Sequence, residues 1–192
     1  LKSDKPYNKA WGFNIGTKLS KSNVIVFSDL GVIMDPNKFI EGLRAIEQYD
    51  MVSPYSSVLD LNPQESNLQL QDMLKIDRPG RGETDNQKIN ICGGISIFRK
   101  DAIQKIAGWN EDFIGWGGED DFQTIKVENF LTYTTLPYKC YHLYHNREVP
   151  NQNGYQRTLQ LLQNLRNLSK DDLVKAINFS LPKIGLINKY DN

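Results

Sequence analysis

Three consecutive carboxylates, Glu119, Asp120 and Asp121, follow directly on Gly115-Trp116-Gly117-Gly118. Acids packed side by side repel one another and are costly unless a cation, hydroxyl donors or water receive them. The glycines permit backbone conformations and close approaches that a Cβ forbids, and the Trp116 ring offers a flat apolar face of the kind that packs on a sugar. Together they suit a hydroxyl-rich ligand. The same pattern also fits a glycine loop ahead of a helix whose first turn carries the acids, where they favour the positive end of the dipole.

His142 and His145 stand three residues apart, and imidazole suits transition metals. Taken alone, the pair also fits ordinary residues at a strand end. Upstream, Val24-Ile25-Val26-Phe27 runs into Ser28-Asp29, which reads as a buried strand with functional residues at its carboxy end. Ligands sit at such ends in open α/β sheets.

Taken in order, Ile91-Cys92-Gly93-Gly94-Ile95-Ser96-Ile97-Phe98, Gly108-Trp109-Asn110-Glu111-Asp112-Phe113, the acidic loop and His142-Leu143-Tyr144-His145 resemble the carboxy-terminal half of the β1,4-galactosyltransferase family and related GT-A glycosyltransferases. The likeness runs from about Tyr7 to about Arg157. It implies an α/β fold, the GT-A mixed sheet flanked by helices. It also implies inverting transfer of a hexose or N-acetylhexosamine, Gal or GalNAc, from a UDP-sugar donor to a hydroxyl of a carbohydrate acceptor. In that resemblance Asp120 is the general base, Glu119 and Gly117 hold the acceptor with it, and Trp116 closes over the site. Asp121 orients the loop or its helix.

On the donor side, Tyr7-Asn8-Lys9-Ala10 with Asn14-Ile15-Gly16 resembles the family's FNRA and NxG segment, which places Tyr7 and Lys9 by the uridine. Asp29, Ile91, Gly93, Gly94 and Trp116 complete the donor residues. The resemblance assigns a manganese ion to Asp29, His142 and His145. Three departures stand out. Lys9 replaces an arginine and loses the planar fork that grips phosphate or uracil. Gly31 replaces the second acid of the FSDxD motif in Phe27-Ser28-Asp29-Leu30-Gly31, so a hard oxygen donor is missing and manganese should bind more weakly. Ile91 replaces a tyrosine that crowds the donor's C2 substituent, which leaves room for an acetamido group. His142 falls where the galactosyltransferases use a methionine ligand.

At 192 residues the chain is long enough for one domain with a real core. The 23 basic and 23 acidic residues balance, which argues against a nucleic-acid footprint or an anionic membrane surface. No apolar run approaches the about 18 residues that a membrane segment needs, and no charged-then-apolar leader opens the chain. Cys92 and Cys140 make neither a disulfide framework nor a zinc ribbon and read as buried free thiols. Asn167-Leu168-Ser169 and Asn178-Phe179-Ser180 fit the glycosylation pattern at a frequency that chance supplies, so they do not assign a compartment. The expected compartment is the cytoplasm, as in bacterial-type polysaccharide synthesis, with the Golgi lumen as the alternative.

The chain enters a helical pattern almost at once, whereas a GT-A domain normally opens with a strand, a helix and a strand that bind much of the nucleoside. The expectation is an amino-terminally truncated fold with an uncovered sheet edge or groove that invites self-association.

The elements follow from local patterns. Asp4 with Pro6 should cap a helix running to about Leu19, with Tyr7, Ala10, Trp11, Asn14 and Ile15 at helical spacing. Asp35-Pro36 starts a second helix carrying Phe39, Leu43 and Ile46 on one face. Met51 to Leu61 contains a strand, residues 62–75 read as helix, and Arg78 to Asn86 as a polar surface loop. Gly94 to Phe98 is a strand, Lys100 to Ile106 a short helix, and Glu119 to Glu128 a helix. Leu131 to Thr135 and Tyr138 to Tyr144 read as strands. Residues 155–168 form an amphipathic helix with Tyr155, Leu159, Leu162 and Leu165 on its apolar side, opening a helical extension to residue 192 within a single domain. The tail from Ser169 resembles no known segment. Two other classes remain open: a catalytically impaired sugar- or nucleotide-binding domain of the same fold, and a metal hydrolase using the two histidines.

Overall fold

The structure, a computed structural model, describes residues 7–84, 89–146 and 152–189. Asp4, Pro6, Asp85, Asn86, Arg147 and Glu148, which carry parts of the sequence reading, lie outside the described residues. In chain order the elements are α1 (Lys9–Leu19), β1 (Val24–Ser28), β2 (Val32–Met34), α2 (Pro36–Ala45), β3 (Met51–Ser53), β4 (Ser57–Asp60), α3 (Leu70–Met73), β5 (Ile95–Arg99), α4 (Lys100–Lys105), α5 (Glu119–Phe130), β6 (Tyr133–Thr135), β7 (Lys139–His142), α6 (Gln152–Arg166) and α7 (Lys170–Ser180). Short 3-10 turns lie at Glu65–Asn67 and Leu181–Lys183. The chain divides into two compact units, one built from residues up to 25, 99–131 and 149 onward, the other from 26–98 and 132–148.

The second unit carries the sheets. One has the strand order β1-β5-β3-β6, with β3 antiparallel to β5 and parallel to β6. The other has the order β2-β7-β4, with β7 antiparallel to β2 and parallel to β4. Every residue of β3 is buried, and β5 is buried from Ile95 to Phe98, in keeping with their places as the two interior strands of this sheet. In β1 the burial alternates instead: Ile25 and Phe27 turn inward, while Val26 is 41 % exposed.

The span expected as one strand from Met51 is two strands in different sheets, because Pro54 cannot donate to a ladder and breaks the run. The Ser53 hydroxyl donates to the Tyr55 carbonyl across that break. The helix expected over residues 62–75 is only the turn at Glu65–Asn67 and the single-turn α3, since Leu68 and Gln69 are extended between them. The loop from Arg78 is tied down where it is described, through the isolated bridges Val58↔Arg81 and Arg81↔Thr84. Asp35 caps α2 by accepting from the Asn37 amide, as its position before Pro36 predicts. The core here gathers Met34, Tyr55, Val58, Ile95 and Cys140, with a second cluster of Leu59, Leu61, Met73 and Tyr141.

In the first unit Asn8, rather than Asp4, caps α1: its side-chain oxygen accepts from the Trp11 amide. Of the residues at helical spacing, Ala10 and Asn14 are buried, together with Thr17, while Trp11 and Ile15 are only partly buried and Tyr7 is 73 % exposed. Helices α5, α6 and α7 pack through Phe113, Phe122, Leu162 and Leu173. The tail after α7 returns to α1. The Trp11 indole donates to the Leu186 carbonyl, and buried Glu111 accepts from Asn14 Nδ2, the Gly185 amide and Lys189 Nζ at 2.9, 2.6 and 2.6 Å. These donors satisfy the polar oxygens of a buried side chain, which would otherwise be costly to bury.

Candidate functional site

In the first unit the acidic loop is a helix start. Gly118 stands at the N-cap of α5 with φ +89, and a Cβ there would lie 2.7 Å from the Phe113 ring, so both conformation and space demand glycine. The first turn of α5 then carries Glu119, Asp120 and Asp121 at the positive end of the helix dipole. Lys9, from the first turn of α1, places its ammonium 2.9 Å from Glu119 Oε1 and 2.8 Å from Asp120 Oδ1. The three side chains are only 12 %, 12 % and 22 % exposed, and the ammonium lies 5.8 Å from the centres of both the Phe13 and Trp109 rings. Asp121 is turned away from this group and pairs with Arg166 of α6.

Trp116 is 60 % exposed, and its ring centre lies 5.4 Å from that of Tyr155 at a 40° tilt. Its carbonyl accepts from the Thr158 hydroxyl, and the preceding Gly115 amide donates to the Tyr7 carbonyl. Tyr7, Lys9, Trp116, Glu119 and Asp120 are therefore linked within one unit, with Gly117 lying between Trp116 and the acids. Tyr155 and Thr158 were missed by sequence reasoning; only their place on the amphipathic helix hinted at them.

In the second unit, Asp29 follows the end of β1. Its amide donates to the Gly94 carbonyl at 2.8 Å, and the Gly94 amide donates back to Asp29 Oδ2 at 3.3 Å. Gly94 has φ +77, and a Cβ on it would sit 2.4 Å from the Tyr55 hydroxyl. That phenol is buried beneath the turn, donating to the Gly93 carbonyl and accepting from the Ile95 amide. Tyr55 carried no sequence signal beyond being an aromatic residue after a proline. Ile91 is buried in the turn that leads to Gly93 and Gly94, and β5 begins only at Ile95. Gly31 has φ +79 and its carbonyl accepts from the Leu143 amide, so the turn between β1 and β2 is closed without a second carboxylate.

The histidines sit at the end of β7. His142 is in register with Val32 of β2 and Asp60 of β4, and its Nδ1 lies 3.0 Å from Asp60 Oδ1. The same carboxylate takes a forked pair from Arg81, at 2.8 Å from Nε and 3.1 Å from Nη2. Burial pushes the Asp60 carboxyl up, but the Arg81 guanidinium and the hydrogen bonds from Arg81 and His142 outweigh it and hold the group below its ordinary value. The His145 ring centre lies 5.1 Å from that of His142, with the planes at 87°. Asp60, Leu61 and residues 142–146 line a cavity of about 420 Å³.

The separation of the two ring centres falls within the range that two imidazoles on one transition-metal ion show. Metal–nitrogen bonds of about 2.1 Å put an ion about 3.2 Å from each ring centre, which spaces the two centres by about 4.5 to 5.2 Å at octahedral to tetrahedral angles. The full set of Asp29, His142 and His145 is not assembled: among the described residues no group of three or more His, Cys, Asp or Glu side chains is arranged to hold a metal ion. The metal-hydrolase alternative draws no support from this arrangement.

Comparisons with known proteins bear on the family resemblance and the fold. Residues 83–146 match the family model described as the N-terminal domain of galactosyltransferase. β-1,4-Galactosyltransferase 5 of Homo sapiens is 31 % identical over 116 residues, covering 51 % of this chain and 30 % of that protein. β-1,4-Galactosyltransferase 4 of Mus musculus is 27 % identical over 93 residues, covering 46 % of this chain and 27 % of the relative. The chain thus spans under a third of the length of the curated relatives it matches. Among solved structures, the catalytic domain of Drosophila β1,4-galactosyltransferase 7 in complex with xylobiose superposes with a TM-score of 0.54 at 16 % identity, covering 82 % of this chain and 62 % of that one. A mutant of that enzyme in complex with manganese, UDP-Gal and xylobiose gives a TM-score of 0.50, again at 16 % identity, with coverage of 81 % and 62 %. These relatives are animal proteins, so the bacterial-type cytoplasmic compartment expected from the sequence gains no support. Among the described residues no helix is long and apolar enough to cross a membrane. Motif order, local sequence and superposition point the same way: this chain is similar in sequence to β1,4-galactosyltransferases over its matched residues and shares the fold of a β1,4-galactosyltransferase catalytic domain.

Proposed function

We propose that the chain is the sugar-transferring part of an inverting glycosyltransferase that moves Gal or GalNAc from a UDP-sugar to a hydroxyl of a carbohydrate acceptor. The observation that carries this reading is the acidic turn itself: Asp120 and Glu119 are held ready on the first turn of α5 by one ammonium, with the exposed Trp116 ring on the adjoining loop. Transfer from a nucleoside diphosphate needs a base for the acceptor hydroxyl and neutralisation of the departing diphosphate. Asp120 serves as the base and Glu119 with Gly117 grips the acceptor sugar, while Trp116 stacks on its ring. One base and in-line displacement give inversion, so an α-linked donor yields a β-linked product. In this reading the donor residues are Tyr7, Lys9 and Trp116 of the first unit and Asp29, Ile91, Gly93 and Gly94 of the second.

Manganese, when bound on His142 and His145, would screen the charge of the diphosphate. A solved neighbour at this fold level is complexed with manganese and UDP-Gal, which supports the ion and the donor class. The Golgi lumen is the compartment that the animal relatives support.

The test is Asp120→Asn in the full-length protein, assayed for transfer and separately for UDP binding. Transfer should fall on the order of 10²- to 10⁴-fold with donor binding unchanged. Normal turnover in the variant removes Asp120 as the base. A second reading, a sugar- or nucleotide-binding domain that has lost catalysis, is favoured by Gly31, which stands where the resemblance expects the second acid. UDP-sugar binding with no turnover of any acceptor by the wild type would establish that reading instead.

A further inference from the structure

We propose that Asp60, clamped by Arg81, is the positioning residue that selects the tautomer of His142 and so prepares the second unit to hold a divalent transition-metal ion; this rests on the glycosyltransferase reading only for the identity of the ion. The sequence places Asp60 and His142 82 residues apart, and neither Asp60 nor Arg81 belongs to a motif. The parallel register of β4 on β7 brings Asp60 opposite His142, and the carboxylate then meets the ring at Nδ1. A carboxylate is an acceptor only, so the proton of the neutral ring must sit on Nδ1, and the lone pair is left on Nε2. Arg81 fixes both carboxylate oxygens and stops the carboxylate from rotating away from the ring. His142 is thereby oriented beside His145 at a ring separation that one ion can bridge. With Gly31 in place of a second acid, the ordering of this imidazole carries more of the affinity than it would in a site with two hard oxygen donors.

The chain has only two histidines, so both rings can be followed individually. In the full chain without metal, long-range proton–nitrogen NMR should show His142 as the Nδ1–H form. In Asp60→Ala it should move toward the Nε2–H form that water favours, while Asp60→Asn, whose amide oxygen still accepts, keeps the Nδ1–H form. Manganese binding, read by electron paramagnetic resonance as free ion, should weaken on the order of 10- to 100-fold in Asp60→Ala and less in Asp60→Asn. His145→Ala is the control for the ion site. If Asp60→Ala fails to fold, Asp60→Asn and Arg81→Gln carry the comparison, each expected to weaken manganese binding. Wild-type affinity with an Nδ1–H ring in Asp60→Ala or, where that variant does not fold, wild-type affinity in both Asp60→Asn and Arg81→Gln, would overturn the role of Asp60 while leaving the ion site standing. A wild type that binds no manganese would overturn both.

Discussion

Lys9 Nζ lies 2.8 Å from Asp120 Oδ1 and 2.9 Å from Glu119 Oε1, so the two acids at the head of α5 share one ammonium drawn from the head of α1. The position of Lys9 within α1 is itself anchored. Its neighbour Asn8 caps the helix and donates from Nδ2 to the Glu111 carbonyl. An element far away in sequence thereby sets the charge balance of the acidic turn.

Removing that ammonium leaves two adjacent carboxylates without their counter-charge. Lys9→Met should destabilise the fold by about 3 kcal/mol, the low end for stripping one partner from a mostly buried ion pair. Lys9→Arg should recover most of the loss. Urea unfolding of the three proteins checks this, and equal midpoints for wild type and Lys9→Met would show that the pairs contribute nothing.

The phenol beneath the double glycine makes a second prediction. Tyr55→Phe leaves the Gly93 carbonyl and the Ile95 amide without the hydroxyl that satisfies both, at a cost of about 1 to 3 kcal/mol per buried group left unpaired. Gly94→Ala should be worse, since its Cβ would overlap the Tyr55 hydroxyl in a left-handed backbone. In the double variant Gly94→Ala/Tyr55→Phe the penalty of the alanine should shrink, because the overlapping oxygen is gone. Additive losses in a thermal-denaturation cycle would contradict the contact.

Donor choice turns on Ile91. UDP-GalNAc should be accepted by the full-length protein, and Ile91→Tyr should shift preference toward UDP-Gal by about tenfold or more, the scale of a pocket difference of this size. A competition assay among UDP-Gal, UDP-GalNAc, UDP-Glc and UDP-GlcNAc decides. A strong UDP-Gal preference that is the same in both proteins would sink the assignment.

Both thiols should be silent in the native protein. Cys92 and Cys140 are buried, and burial pushes the Cys140 thiol up to about 12, so almost no thiolate exists at pH 8. A colorimetric thiol count should give none in the native chain and both in guanidinium. Rapid native labelling of Cys140 would place it outside the core formed by Met34, Tyr55, Val58 and Ile95.

What could be read from the residues alone was whatever is contiguous. The glycines before Glu119 announced a helix start, Asp35-Pro36 announced another, and Val24 to Phe27 announced a strand with Asp29 after its end, because caps, turns and apolar runs are written within a few neighbouring residues. Motif order was legible for the same reason and led to the galactosyltransferase resemblance. The extended run from Met51 was misjudged as one strand because pairing partners, not the run, decide which sheet a strand joins. On α1 the helical spacing picked out the buried Ala10 and Asn14, but the bonds of Asn14 to Trp109 and Glu111 and the half-buried place of Trp11 were not written in it. Which cation meets Asp120, which carboxylate orients His142, what lies under Gly94 and where the tail docks were decided by the tertiary structure. Those contacts join residues 38 to 175 positions apart, and only strand register and helix packing bring such groups within bonding distance.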